Sequence, residues 1–381
     1  MMVDTRARRA REWTPGRGIE GRGAVSAPTG TEGGGNGRGR MLAPSIADAL
    51  VGARFLPVWI ATVALLAVAA VIAPAALRST SWAFVLPYMT ILAIAALGQM
   101  LVIMQAGIDL STAGVISLCG NVLVGVGAHS DSRLVLGILA SVGVGALVGL
   151  CNGVLVAVVR LNPLIVTLAT GQIALAWSVR YNREVAANPN VPDALASWAG
   201  HKPLGMSAVF WTGAALTLLV ALALRYTAVG RRFQAVGANP RAAWMAGLRV
   251  RTHTAFAYTA AGALYGAAAV LLGALRISID PAFGASYLLA PIAAVVIAGA
   301  ALSGGLASAT STWVAALALT FLTQMLLILG LSAALQFIVF GAAIIVGMLV
   351  SGDRVASLLG RVLRMIETAP GTRPEMKGDT S

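Results

Sequence analysis

The stretch Arg225–Thr254, RYTAVGRRFQAVGANPRAAWMAGLRVRTHT, decides the fold. It is a polar interruption between two strongly apolar runs, and it carries Arg225, Arg231, Arg232, Arg241, Arg249 and Arg251 with no acidic residue. Unbalanced basic residues between apolar runs mark the cytoplasmic side of a membrane protein. Within the stretch, Asn239 reads as an N-cap, Pro240 as the first helical residue and Gly247 as the residue just past the end. The helix they frame, Pro240, Arg241, Ala242, Ala243, Trp244, Met245 and Ala246, is about two turns long. A helix that short does not hold in water alone, so it must dock on its own membrane body or on another protein. The functional reading is a coupling helix inserted into a cytoplasmic partner. The bland reading is a positive-inside anchor with an incidental turn.

Composition agrees with a membrane protein. The chain has 381 residues, 58% hydrophobic and only 11% charged, a balance foreign to a water-soluble domain of this size. A formal net charge of +13 invites thought of nucleic acid, but the basic residues follow topology instead of gathering on one face, so no nucleic-acid partner is expected. Cys119 and Cys151 both sit in apolar runs and read as small packing residues. The only lysines are Lys202, before Pro203, and Lys377, before Gly378, so a GxxxxGK[ST] phosphate loop is impossible. If ATP drives this protein, another chain hydrolyses it. No nucleophile, base and acid constellation stands out, and an enzyme is not expected.

Residues 1–54 are rich in Gly and Arg with no aliphatic stripe, and are expected to be a disordered cytoplasmic tail, either in part an extended, mis-started N-terminus or a basic arm lying along anionic lipid. From Leu56 apolar runs follow one another, and about 20 residues cross a hydrocarbon core. Ten spans are placed near 56–76, 84–106, 112–128, 134–158, 164–179, 207–224, 255–275, 287–303, 311–329 and 334–350, several short enough to be tilted, broken or re-entrant. With the N-terminus inside, 21 basic residues fall inside and six outside (Arg78, Arg133, Arg180, Arg183, Lys202, Arg276), which supports N-in and C-in. The expectation is therefore an all-α polytopic bundle over 55–350, with 225–254 as its cytoplasmic coupling loop and 351–381 as a second cytoplasmic tail. The spans are crowded with small residues, as in GILASVGVGALVGLCNG (137–153) and AGALYGAAAVLLGAL (261–275), which let helices approach closely. The longest outer loop, from Arg180 to Met206, with NPNVPD at its centre, is the expected place for contact with an extracytoplasmic partner.

The few polar residues inside the spans are where a solute would be met. Asp109, in GIDLS, is the acid most enclosed by apolar sequence and is expected to cap the next helix, a role favoured by Ser111 and Thr112. Asn152, Gln172, Asn121, Gln99 and Gln324 are uncharged amides, and Gln336 is a sixth. Such groups either bond across helices or line a path for an uncharged hydroxylated solute. Trp177, Trp211 and Tyr287 fit an interfacial belt first and a sugar-stacking platform second. No intramembrane chain of Asp, Glu, Lys and His exists to support a proton-coupled carrier, and His129, His201 and His253 show no metal-ligand spacing.

Four stretches then become specific: ALGQMLVIMQAGIDLSTAGVISL (96–118), GLCNGVLVAVVRLNPLIVTLATGQIA (149–174), GRRFQAVGANPRAAWMAGLRV (230–250) and PIAAVVIAGAALSGGLAS (291–308). In this order and spacing the chain resembles the membrane subunit of bacterial ABC importers for monosaccharides, the ribose, xylose, arabinose and galactose type of permease. GIDLS and NPLIVTLAT are the most diagnostic motifs, and they mark Gly107, Asp109, Ser111, Asn162, Pro163 and Thr167 as structural. The resemblance implies a homodimer in the bacterial inner membrane, a cytoplasmic ABC ATPase that holds ATP and Mg while this chain holds neither, and an extracytoplasmic solute-binding protein. It also implies that Asn239–Gly247 is the coupling helix. Departures fall at Leu288 and Ala290, at Ala298, at Gln324 and Met325, and at Leu175 and Ala176, and these leave the solute open among monosaccharides, nucleosides, autoinducers, polyols and branched-chain amino acids. A stand-alone secondary carrier is the rival class.

Overall fold

The computed structural model describes residues 55–127, 130–185 and 190–350; the two expected tails, 1–54 and 351–381, lie outside them. Thirteen α-helices occur among the described residues, and strand pairing is limited to one isolated bridge between Asn190 and Ser278. In chain order they are α1 (Leu56–Ile72), α2 (Ser79–Met104), α3 (Thr112–Gly127), α4 (Leu134–Ala157), α5 (Pro163–Val185), α6 (Asp193–Gly200), α7 (Ala208–Tyr226), α8 (Ala228–Ala238), α9 (Pro240–Met245), α10 (Val250–Arg276), α11 (Ala290–Ile297), α12 (Ala309–Ile328) and α13 (Ala333–Val350). Among the described residues five segments are long and apolar enough to cross a membrane: α2, α4 with its lead-in from Asp131, α7, α10 and α12. Helices suit that setting because they satisfy their backbone groups internally. The chain is an all-α, multi-pass membrane protein.

Each of the ten expected apolar runs carries a helix, but the run at 287–303 does not carry a continuous one. α11 ends at Ile297, and the chain turns through Gly299, Gly304 and Gly305, all at positive φ, before α12 begins. Glycine populates that region at no steric cost, which is why the polypeptide breaks here despite its apolar composition.

α2 is the central post. From Met89 to Met104 every residue is buried, and α10, α11 and α12 pack around it. α10 in turn lies against α4 along a seam of small residues. A Cβ on Gly145 would overlap the carbonyl oxygen of Gly262, one on Gly149 the carbonyl oxygen of Tyr258, and one on Gly153 would come within 2.6 Å of the Ala255 oxygen. Without side chains between them the two backbones approach directly, the packing mode that membrane helices use in place of a hydrophobic driving force.

Tyr287 departs from expectation. It lies in the short 3-10 turn Ala285–Tyr287 and is 8% exposed, so it belongs to the interior and not to an interfacial belt. Trp177 and Trp211 do face outward, at 62% and 38% exposure.

Candidate functional site

The segment Arg225–Thr254 is mostly helical. Thr227 ends α7 and caps α8, its hydroxyl accepting from the Gly230 amide at 2.9 Å. α8 buries Phe233 and Val236 and is tied to the body where Gln105 Nε2 donates to the Phe233 carbonyl at 3.0 Å. α9 then begins and ends as its sequence dictates. The Asn239 side-chain oxygen accepts from the Ala242 amide at 3.0 Å and Pro240 occupies the first turn. At the other end Gly247, at φ +81, lets its own amide donate to the Trp244 carbonyl at 2.9 Å and the Leu248 amide donate to the Ala243 carbonyl at 3.0 Å. That pair of bonds is a Schellman motif, which satisfies carbonyls a helix end would otherwise leave bare.

Six residues give no periodicity to read, so which face of α9 is free emerges only from the structure. Ala243 is packed inward at 5% exposure, whereas Trp244 and Met245 project at 72% and 76%. Beside them a cavity of about 780 Å³ is lined by Arg160, Arg241, Arg249 and Arg251. Among the described residues none of these four arginines forms an ion pair. Two large apolar side chains rimmed by unneutralised guanidinium groups form a surface complementary to an acidic, partly apolar partner.

The polar motifs interlock inside the bundle. Asp109 is buried, and one of its carboxylate oxygens accepts from the Ser111 amide at 2.8 Å and the Ser111 hydroxyl at 2.5 Å. It thus fixes the turn before α3 through Ser111, not by accepting from amides inside the helix. Gln99, in the wall of α2, pairs with the Asp109 backbone: its amide nitrogen donates to the Asp109 carbonyl at 3.0 Å and its oxygen accepts from the Asp109 amide at 3.1 Å. The opposite amide orientation would set oxygen against oxygen. Thr167 accepts from the Leu110 amide at 2.9 Å and donates to the Pro163 carbonyl at 2.8 Å. Asn152 bridges the same place, donating to the Ser111 hydroxyl at 3.1 Å and accepting from Thr170 at 2.7 Å. GIDLS on the α2–α3 link and the NPLIVTLAT segment that opens α5 are therefore two halves of one polar knot. Asp109 Oδ2 and the Tyr258 hydroxyl, both buried, have no hydrogen-bond partner among the described residues.

A second knot lies farther along α5. Asn121 donates to the Ser178 hydroxyl at 2.9 Å and accepts from Asn182 at 2.6 Å, and Ser178 donates to the Pro281 carbonyl at 2.7 Å. Of the five amides singled out from sequence, Gln99, Asn152 and Asn121 are buried in these knots, Gln172 is exposed and Gln324 is half-buried. Asn162 is exposed and caps α5, accepting from the Leu164 amide at 2.9 Å ahead of Pro163. Sequence reasoning passed over Thr170 and Ser178. The signal was present, because Thr167, Gly171, Ala174 and Ser178 recur at helical spacing as a stripe of small and hydroxylated residues on one face.

The family model for the permease component of branched-chain amino acid transport systems matches residues 81–348, most of the chain. The chain belongs to that family. Among the permease's relatives, the ribose import permease of Escherichia coli (strain K12) is 30% identical over 298 residues, 77% of this chain and 92% of the relative. The fructose import permease of Rhizobium meliloti is 32% identical over 274 residues, 69% of this chain and 75% of the relative. The autoinducer 2 import permease of Enterobacter sp. (strain 638) is 29% identical over 323 residues, 82% of this chain and 91% of the relative. No solved structure matches the permease. The chain is the membrane component of an importer of the ABC class.

Proposed function

We propose that this permease imports a small, neutral, polyhydroxylated solute, a monosaccharide, as a homodimer in the bacterial inner membrane. Its ten helical runs cross with both termini inside. A cytoplasmic ATPase binds ATP and Mg, and an extracytoplasmic binding protein delivers the solute. The observation that carries this reading is α9: a two-turn helix, capped at both ends, that leaves Trp244 and Met245 exposed, with Trp244 beside a cavity lined by four arginines that form no ion pair among the described residues. Such a device has a use only if another protein receives it. Closure of the ATPase halves would push α9, and a rigid-body movement of the bundle would switch access from the outer to the inner side. In this picture Gln99, Asn152 and Asn121 are positioning residues that hold the α2–α3 link and α5 together while the bundle moves, and Gln172 and Gln324 are the amides left to meet the solute.

The family's description names branched-chain amino acids, whereas the relatives named above carry ribose, fructose and autoinducer 2. Inside the spans the enclosed acid, Asp109, has one carboxylate oxygen held by Ser111 and, among the described residues, no basic partner, so no pair of opposite charges stands ready for an amino acid's ammonium and carboxylate, which favours the sugar-like group. The test is uptake into proteoliposomes holding the permease with its ATPase and binding protein. ATP-dependent entry of a labelled pentose or hexose, unaffected by excess leucine, is the expected result; entry of leucine alone, or entry without ATP, refutes the proposal.

A further inference from the structure

α10 is 27 residues long, so its ends lie about 40 Å apart. The arginine-lined cavity sits at its first turn, where Val250 and Arg251 contribute to the wall. At its last turn is a second cavity, of about 220 Å³, walled by Tyr88 near the start of α2, Arg276 at the end of α10, Tyr287, and Thr320 and Thr323 on α12. On the runs assigned above, Tyr88, Tyr287 and Thr323 fall in outer halves, Arg276 lies just past an outer end and Thr320 sits at the midpoint.

The chemistry of this wall is unusual for the rest of the bundle. Thr62, Thr90, Thr212, Thr217 and Thr312 each donate to the carbonyl four residues earlier in their helix. Thr320 and Thr323 do not, although their helix would accept them, and among the described residues the hydroxyls of Tyr88 and Tyr287 are also without a hydrogen-bond partner. Four hydroxyls therefore remain free to donate and accept. They are joined by apolar aromatic faces: Phe84 and Tyr88 stack with centroids 4.4 Å apart, leaving an aromatic surface along one side of the cavity. The one cation, Arg276, is already paired with Asp280 at 3.5 Å, so the cavity shows no excess charge to an entering molecule. Its volume equals about seven waters at ~30 Å³ each, the scale of a single sugar ring.

We propose that this cavity is an outer solute site that takes one neutral pentose or hexose, an aromatic face against the ring's C–H side and the free hydroxyls of Tyr88, Tyr287, Thr320 and Thr323 bonded to its hydroxyls. The assignment rests on the sugar-importer reading and extends it by placing a binding site within one protomer. Solute released from outside meets this wall before any part of the inner half.

The experiment compares labelled ribose and fructose uptake by the full complex carrying Tyr88→Ala or Thr323→Val, with assembly checked by co-elution of the ATPase. Thr323→Val keeps shape and removes one hydroxyl, so it remains informative if Tyr88→Ala fails to assemble. The expected result is an assembled complex whose uptake falls about tenfold for Tyr88→Ala and severalfold for Thr323→Val. Assembled variants that take up sugar like the wild type overturn the site and leave the importer reading standing. A wild-type complex that takes up no sugar with ATP overturns the reading beneath it.

Discussion

Gly143 and Gly145 lie two residues apart on α4 and should respond oppositely to the same methyl group. A Cβ on Gly145 would overlap the Gly262 carbonyl oxygen, a backbone atom that no rotamer change moves aside. Relief requires α4 and α10 to separate along a seam that also joins Gly149 to Tyr258 and Gly153 to Ala255. Overpacking of this kind costs about 1–3 kcal/mol, against which alanine returns about 0.5–1 kcal/mol over glycine in a helix. Gly145→Ala should therefore destabilise by roughly 1–2 kcal/mol. At Gly143 an added Cβ meets nothing within 4 Å, so Gly143→Ala keeps the propensity gain alone, up to about 1 kcal/mol. The pair should differ by about 2–3 kcal/mol, or roughly 5–10 °C in Tm at ~2–4 °C per kcal/mol for larger chains. The eight tryptophans allow an intrinsic-fluorescence melt of the purified protein in detergent. Equal melting temperatures for the two variants would refute the close-approach argument.

Three further outcomes follow from the site. Trp244→Asp, on the outward face of α9, should leave insertion and melting unchanged while abolishing ATP-driven uptake; Ala243→Asp, on the inward face, should instead lower the amount of folded protein recovered. Asn239→Ala removes the cap on Ala242 and costs about 1 kcal/mol, enough to depopulate the docked helix severalfold, so uptake should fall while the body's Tm does not. Asn152→Leu removes the bond that Thr170 makes across helices, although that hydroxyl keeps the Val166 carbonyl at 3.0 Å, and takes the amide donor from Ser111, at about 0.5–1.5 kcal/mol for each lost bond. Its melting temperature should drop by several degrees, whereas a normal melt with altered solute preference would mean that Asn152 lines the path.

The helices and the ends of α9 were legible from sequence because their signals are local. Apolar run length marks membrane helices, and Asn239, Pro240 and Gly247 are each chosen by the backbone geometry of one residue. The same holds for Asn162 and Pro163 at the start of α5. What stayed hidden depends on neighbours distant in the chain. The break after Ile297 occurs inside uniformly apolar sequence, where only the positive-φ glycines distinguish it from a continuing helix. Tyr287 reads as an interfacial residue until the packing of its turn buries it. Gln99 carries no sequence mark of its pairing with the Asp109 backbone, because that contact exists only when α2 doubles back into the link that follows it.

The central claim is that α9 joins this permease to an ATPase. The most direct test places a photo-crosslinking amino acid at position 245 of the complex in membranes, with position 211, in the first turn of α7 at the end remote from α8, as the control. The account predicts a covalent adduct between this chain and the ATPase from position 245 and none from position 211. No ATPase adduct from position 245, in membranes where uptake is active, would contradict it.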